Sequence, residues 1–204
     1  MRGPAREVCA TISEIRELCP EMIEMIMEGC EAVQQRMAEI SAAVKGIVSK
    51  PNFEETDLVS IGRRVGAMLK PLAQKKGLSL EIQGEALPAM VDGKMIYNAV
   101  YNLIFNAIDA CREGDSITFS FQSDGDILME CADTGPGMPE NVKARLFTDE
   151  AVSTKPMGTG LGTRIVKNVI DAHDGTVSVE SESGVGTTIR CRIPVHRSDS
   201  GGSS

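Results

Sequence analysis

Residues 158–163, Gly158-Thr159-Gly160-Leu161-Gly162-Thr163, stand immediately ahead of the amphipathic run Arg164-Ile165-Val166-Lys167-Asn168-Val169-Ile170. Glycines at 158, 160 and 162 leave no Cβ atoms to hold a ligand off the backbone. The helix that follows begins with N–H groups that lack intrahelical partners, and these favour an anion. A phosphate chain suits such a turn best, although a glycine-rich turn ahead of a helix also serves as a plain structural cap. Two further stretches, Asn102 to Ala110 and Asp133 to Gly137, precede it in order.

In Asn102-Leu103-Ile104-Phe105-Asn106-Ala107-Ile108-Asp109-Ala110 the two asparagines lie four apart, so both amides leave one face of a helix. Amid apolar neighbours they need partners. Either they cap neighbouring loops, or their oxygens serve magnesium, which takes oxygen ligands and keeps substrate phosphates in its shell. In Asp133-Thr134-Gly135-Pro136-Gly137-Met138-Pro139 a carboxylate at a strand end precedes a tight glycine turn. This is an ordinary loop, or a carboxylate that reads a donor such as a purine amine. Residues 141–157, between this motif and the glycine turn, have the length of a functional loop. Lys155, three residues before Gly158, is placed to reach bound phosphates as a lid cation.

Composition bounds the rest. The 204 residues suffice for one good-sized domain plus an extra element. A net charge of −8 argues against an extended nucleic-acid surface and against contact with an anionic membrane. No run of about 18 apolar residues and no signal peptide occur. The expectation is a soluble, cytoplasmic chain, or the cytoplasmic end of a larger sensor. Cys9, Cys19, Cys30, Cys111, Cys131 and Cys191 show no metal-ligand spacing with His173 or His196, which predicts reduced thiols used as core residues and no zinc site.

Along the chain, Cys19, Ile23, Ile26, Cys30, Val33, Met37, Ile40, Val44 and Ile47 alternate spacings of four and three, the seam of a coiled coil or bundle. This predicts a helix over 19–47 that either forms a homodimer bundle or packs on its own domain; Pro51 stops it. Residues 52–56 read as a connector. Asp57 is set to cap a helix carrying Leu58, Ile61, Val65, Met68, Leu69 and Leu72 and ending near Lys76-Gly77. Strand patterns run over 78–82, 116–121, 126–131, 176–180 and 187–193, and a long helix over 91–111. Asp124-Gly125 marks a hairpin. The order points to an α+β fold, one sheet with helices on one face. The Ser/Gly-rich tail, 197–204, is expected to be disordered.

Taken together, N-x-x-x-N, D-x-G-x-G and G-x-G-x-G in this order resemble the ATP-binding domain of bacterial sensor histidine kinases. That domain belongs to the wider superfamily that includes gyrase, a mismatch-repair ATPase and a heat-shock chaperone. The resemblance covers about residues 55–195, including Glu180-Ser181-Glu182-Ser183-Gly184-Val185-Gly186-Thr187-Thr188. It implies an ATP sandwich, a mixed, mostly antiparallel sheet with helices on one face, over 52–196. It implies ATP and Mg2+ as cofactors, with Asn106 the magnesium ligand, Asn102 and Asp109 near the phosphates, and Asp133 reading the adenine amine. Gly135 and Gly137 would shape the base pocket, Lys155 and Gly158, Thr159, Gly160, Leu161 and Gly162 would belong to the lid, and Thr187 would support Asp133. Two departures stand out: Thr163 in place of the usual leucine, and Asp174 in place of the first glycine of H-G-G. His173, in that turn, is expected to pack.

The superfamily's hydrolysing branches carry a glutamate where this chain has Asn102, and an amide cannot act as a general base. Phosphoryl transfer asks mainly for positioning and charge neutralisation, so the resemblance implies a protein histidine kinase. Residues 1–51 resemble the second helix of the kinase dimerisation bundle. No histidine precedes residue 173, so no acceptor is certain. The expectation is transfer to a histidine on a missing helix or a separate protein, no autophosphorylation in this form, and a response regulator as partner. The rivals are a serine kinase of the anti-sigma or dehydrogenase-kinase type and a non-catalytic nucleotide-binding module.

Overall fold

The computed structural model describes residues 50–147 and 161–195; the heptad segment 19–47 and the tail 197–204 lie outside the described residues. The elements are β1 (Glu54–Asp57), α1 (Leu58–Lys75), β2 (Ser79–Gln83), β3 (Pro88–Val91), α2 (Gly93–Ala110), β4 (Ser116–Ser123), β5 (Asp126–Asp133), α3 (Glu140–Lys143), α4 (Leu161–Ala172), β6 (Thr176–Glu182) and β7 (Gly186–Pro194).

Strand alternation builds one greasy face. Ile117, Phe119 and Phe121 of β4, Ile127, Met129 and Cys131 of β5, and Ile189, Cys191 and Ile193 of β7 are all buried, because successive side chains leave opposite faces of a strand. The sheet order is β2-β4-β5-β7-β6. Only β2–β4 is parallel; the remaining neighbours are antiparallel. On the other face Arg190 bridges Glu130 and Glu180, each at 2.6 Å, and Arg192 reaches Asp124 at 3.0 Å. A half-solvated antiparallel sheet of this kind takes helices on one side only, which is the α+β arrangement expected.

The helices cover that face. Gly62 and Gly66 lie on the buried stripe of α1. A Cβ at Gly62 would stand 2.4 Å from the Phe121 ring, and one at Gly66 2.6 Å from Ile82. Glycine inside a helix costs about 0.5–1 kcal/mol relative to alanine; here it lets the α1 backbone sit directly on the sheet. Helix α2 buries Ile96, Val100, Leu103, Ile104, Ala107 and Ile108, and α4 buries Val166, Val169 and Ile170.

Three local expectations change. Residues 54–56, expected as connector, form with Asp57 the strand β1, which pairs antiparallel with β3, while Asp57 caps α1 as expected, its carboxylate accepting the Val59 N–H at 3.2 Å. The helix expected from Val91 begins at Gly93, because Asp92 caps it: its carboxylate accepts the Lys94 and Met95 N–H groups, both at 3.0 Å, and leaves Val91 as the buried end of β3. Met68, placed in the apolar stripe of α1, is 48% exposed and receives the Tyr97 hydroxyl on its sulfur at 3.6 Å.

His173 is fully buried. Its Nδ1–H donates to the Val169 carbonyl at 2.7 Å, and its Nε2 accepts the Asp92 N–H at 3.0 Å. The Phe53 ring meets it edge-on, with centroids 5.3 Å apart. The end of α4, the cap of α2 and the chain entering β1 are thereby fastened at one point, a structural use of this histidine.

Helix α4 ends in a Schellman motif. The Gly175 N–H bonds to the Ile170 carbonyl at 2.9 Å and the Asp174 N–H to the Asp171 carbonyl at 3.0 Å, with Asp174 left-handed at φ 55°. Helix α1 ends the same way on Gly77. A left-handed L-residue costs roughly 1–2 kcal/mol, and a carboxylate sits badly at the negative end of a helix. Asp174→Gly should therefore stabilise the domain by about 1 kcal/mol, raising the thermal midpoint by about 2–4 °C; an unchanged or lower midpoint would refute the strain.

Candidate functional site

The helix-facing side of the sheet turns polar on three of its four strands in its last row. Val179, Ile189, Cys131 and Phe119 occupy one row, and the next is Ser181, Thr187, Asp133 and Ile117. Register thus carries three polar side chains across β6, β7 and β5 to the sheet's end, toward the helices. The Ser181 and Thr187 hydroxyls lie 3.0 Å apart. The Asp133 carboxylate accepts the Gly135 N–H at 2.9 Å, and the Thr187 backbone N–H favours its charged form. Burial holds the Asp133 carboxyl above the ordinary carboxylate range, with the nearby Asp115 charge pushing the same way, against those donors.

The loop after Asp133 is locked onto the β6–β7 hairpin. The Met138 N–H donates to Ser181 Oγ at 2.8 Å, and the Gly184 N–H to the Pro136 carbonyl at 2.8 Å. Gly137 has φ +64°, and a Cβ there would stand 1.9 Å from the Glu182 carbonyl oxygen. Gly186 has φ +140°, and a Cβ there would stand 2.0 Å from the Asp133 carbonyl oxygen. Both positions demand glycine twice over, by conformation and by space. The Glu180–Thr188 stretch is therefore the buttress of the D-x-G-x-G loop.

A second polar patch lies where α2 meets α4. Asn102, 7% exposed, donates through Nδ2 to the Asn98 carbonyl one turn back at 2.7 Å, which leaves its oxygen directed elsewhere. A Cβ on Gly162 would stand 3.0 Å from Asn102 Oδ1 and 3.3 Å from Asn106 Nδ2. The missing side chain brings the first turn of α4 directly onto both amides. Asn106 is half-buried. Asp109 is exposed on the last turn of α2, where Lys76 Nζ donates to the Ile108 and Asp109 carbonyls at 2.7 and 3.3 Å.

The sequence-derived residues fall into two groups in space: Asp133, Gly135, Gly137 and Thr187 at the strand ends, and Asn102, Asn106, Asp109, Leu161 and Gly162 along α2 and the start of α4. Lys155, Gly158, Thr159 and Gly160 lie outside the described residues. Sequence reasoning missed Ser181, although its in-phase position with Val177 and Val179 on β6 was visible, and Cys111, which directly follows α2. Cys111, Cys131 and Cys191 are buried free thiols. Among the described residues no cluster of His, Cys, Asp or Glu forms a metal site, and no helix is long and apolar enough to cross a membrane.

A half-buried carboxylate on a polar strand end, with paired amides under a helix N-terminus, on a mixed sheet covered on one face, is the arrangement of the ATP-sandwich class. Residues 91–197 match the family described as histidine kinase-, DNA gyrase B- and HSP90-like ATPases, and the chain belongs to that family. It is 34% identical over 125 residues to the sensor protein DivL of Caulobacter vibrioides, covering 60% of this chain and 16% of DivL. It is 29% identical over 209 residues to the sensor histidine kinase ZraS of Escherichia coli, covering 95% of this chain and 44% of ZraS. The chain thus spans less than half the length of either relative. The nucleotide-free catalytic domain of histidine kinase ThkA superposes with a TM-score of 0.63 at 28% identity, covering 70% of this chain and 95% of that one. Full-length ShkA, solved with AMPPNP, gives 0.71 at 21% identity, covering 86% of this chain and 38% of that one, a likeness of fold. Within its family the chain resembles the catalytic ATP-binding domains of two-component sensor histidine kinases.

Proposed function

We propose that residues 52–196 bind Mg-ATP and transfer its γ-phosphoryl to a histidine carried on another segment or another protein, in partnership with a response regulator. Residues 1–51 act as the dimerisation helix. The observation that carries this is the meeting of Asn102 and Asn106 with Gly162. It gathers oxygen ligands suited to magnesium beneath a helix N-terminus suited to phosphate. When bound, the nucleotide supplies the phosphoryl group and the metal supplies charge neutralisation. Asn106 would hold the metal, Asn102 and Asp109 would flank the phosphates, and Asp133 would accept a hydrogen bond from the base amine. Lys155, with the glycines at 158, 160 and 162, Thr159 and Leu161, forms the lid in this proposal.

Asn102 favours transfer over hydrolysis, since it holds the place from which a general base would act and an amide cannot take a proton there. His173 is no acceptor: both its ring nitrogens are engaged in the core. The test is calorimetry with ATP, with and without magnesium, on wild type and Asn106→Ala, followed by labelled-phosphate transfer to a supplied histidine-bearing domain. Magnesium should tighten wild-type binding by at least about tenfold, the equivalent of ~1.4 kcal/mol, and leave the variant unchanged. The transferred phosphate should be acid-labile. An acid-stable product would favour the serine-kinase alternative, and binding without transfer an interaction module. No binding at all would end the proposal.

A further inference from the structure

Thr187 is the register partner of Ser181 on one side and of Asp133 on the other. Side chains paired in this way have Cβ atoms about 4.5–5.5 Å apart, so Thr187 stands between the Ser181 hydroxyl and the Asp133 carboxylate. What the carboxylate meets there depends on which way the Thr187 proton points. Ser181 settles this by count. A serine hydroxyl carries one proton and two lone pairs. Ser181 Oγ accepts the Met138 N–H at 2.8 Å, donates to the Gly186 carbonyl at 3.0 Å and lies 3.0 Å from Thr187 Oγ1. The amide can only donate and the carbonyl can only accept. All three contacts are hydrogen bonds in a single proton arrangement, with the Thr187 O–H donating to the second lone pair of Ser181. Thr187 then turns only lone pairs toward Asp133, whose carboxylate is held by the Gly135 N–H at 2.9 Å.

We propose that Ser181 is a positioning residue for Asp133: by taking the Thr187 proton it keeps that hydroxyl from donating to the carboxylate and leaves the carboxylate lone pairs to an N–H donor of the ligand. This rests on the ATP-binding function proposed above. The same oxygen holds the Met138 N–H, so one hydroxyl fixes both the proton arrangement at the strand ends and the far end of the D-x-G-x-G loop. Without Ser181 the Thr187 hydroxyl is free to turn to its other neighbour. It then occupies a lone pair that the ligand would use, and it stabilises the ionised carboxylate, because a hydrogen bond to the charged form favours that form. The titratable groups around Asp133 are Asp115 ahead of β4, Cys111 after α2 and Cys131 two residues earlier on β5. Substitutions at 181 and 187 leave all of them in place.

The experiment follows the Asp133 carboxyl carbon by NMR as a function of pH in the nucleotide-free protein, together with hydrogen exchange of the Met138 amide and ATP calorimetry. The proteins are wild type, Ser181→Ala, Ser181→Thr and the double variant Ser181→Ala, Thr187→Val. In Ser181→Ala the Asp133 titration should move to lower pH, the Met138 amide should exchange faster, and ATP binding should weaken about fivefold, the worth of one hydrogen bond. Ser181→Thr, which keeps the hydroxyl, should restore all three. The double variant, with no Thr187 proton to redirect, should return the titration to its wild-type position while the Met138 amide stays fast. If Ser181→Ala does not fold, Ser181→Cys, whose sulfur is a weak acceptor, takes its place. Faster Met138 exchange with the Asp133 titration unmoved would show that Ser181 only holds the loop, and the proposal would fall. A titration that moves down equally in the double variant would overturn it too, since the Thr187 proton could not be the cause. A downward shift that needs Thr187, in a protein whose wild type binds no ATP, upholds the proton arrangement and refutes the ATP-binding function instead.

Discussion

Asp133→Asn removes ATP binding while the domain stays folded. The expected calorimetric result is a loss of about 100-fold or more in affinity, since a charge-assisted hydrogen bond is worth about 1.5–3 kcal/mol and the new amide sets a donor against the donor of the base. The expected thermal midpoint of the nucleotide-free variant lies within about 3 °C of wild type. Two effects oppose each other there: the amide needs no ionisation at a half-buried site, but it accepts the Gly135 N–H less strongly. The pH dependence separates them. Burial raises the Asp133 carboxyl in the folded state, so its cost to stability is present at neutral pH and is relieved as pH falls through the raised folded value toward the unfolded one. Wild type minus variant should show that gain on acidification. Asp57, lowered chiefly by the Ser60 hydroxyl, works the other way. Asp92 is lowered too: burial pushes it up, and the N–H groups of Asn52, Met95 and Lys94 outweigh that. Both contributions are present above the unfolded value, 3.8, and are lost as pH falls through the depressed folded values. They are common to both proteins and cancel in the difference. A variant that still binds ATP as wild type does would remove Asp133 from the site.

Gly186→Ala unseats the same carboxylate from behind. The added carbon would stand 2.0 Å from the Asp133 carbonyl oxygen and 3.1 Å from Thr134 Cα, at φ +140°. All of these are backbone, so no side chain can swing aside. Strands β5 and β7 must part at the Asp133–Thr187 pair, which draws Thr187 away from Asp133 and breaks the ladder beside it. The expected loss is about 3 kcal/mol or more, a fall of roughly 6–12 °C, together with lost nucleotide binding. Gly184→Ala is the control: it has φ +84° but nothing within 4 Å, so only the conformational cost of about 1–2 kcal/mol applies. Equal melting of the two variants would show that the clash is absorbed.

Much of this was legible in the sequence because it is written in periods and punctuation. The 3.6-residue stripe of α2 set Asn102 and Asn106 on one helix face, and the alternation of β5 carried Asp133 to a strand end. Other elements are made by partners remote in sequence. Strand β1 reads Glu-Glu-Thr-Asp, with no alternation to see; it exists because β3 pairs with it and because Asp57 accepts the Leu87 N–H at 2.9 Å. The start of α2 was misplaced because Asp92 acquires its role as cap only with its neighbours in place, among them His173, 81 residues away. Gly62 and Gly66 are weak helix residues by propensity, and only the Phe121 and Ile82 side chains against them in the fold explain their use. Cys111 and Ser181 have no motif around them, and only the folded strand ends bring them to Asp133.

The contact of Gly186 with Asp133 also closes a circuit in the chain. Everything from Thr134 to Val185 is an excursion whose two feet touch on neighbouring strands, β5 and β7. A chain loop already pinned at its feet is insensitive to its own length: each doubling adds only about 0.6 kcal/mol of closure entropy. The topology thus separates two constraints: the strand ends that hold the carboxylate are fixed to the ångström, and the length of chain between the two feet costs little in closure entropy.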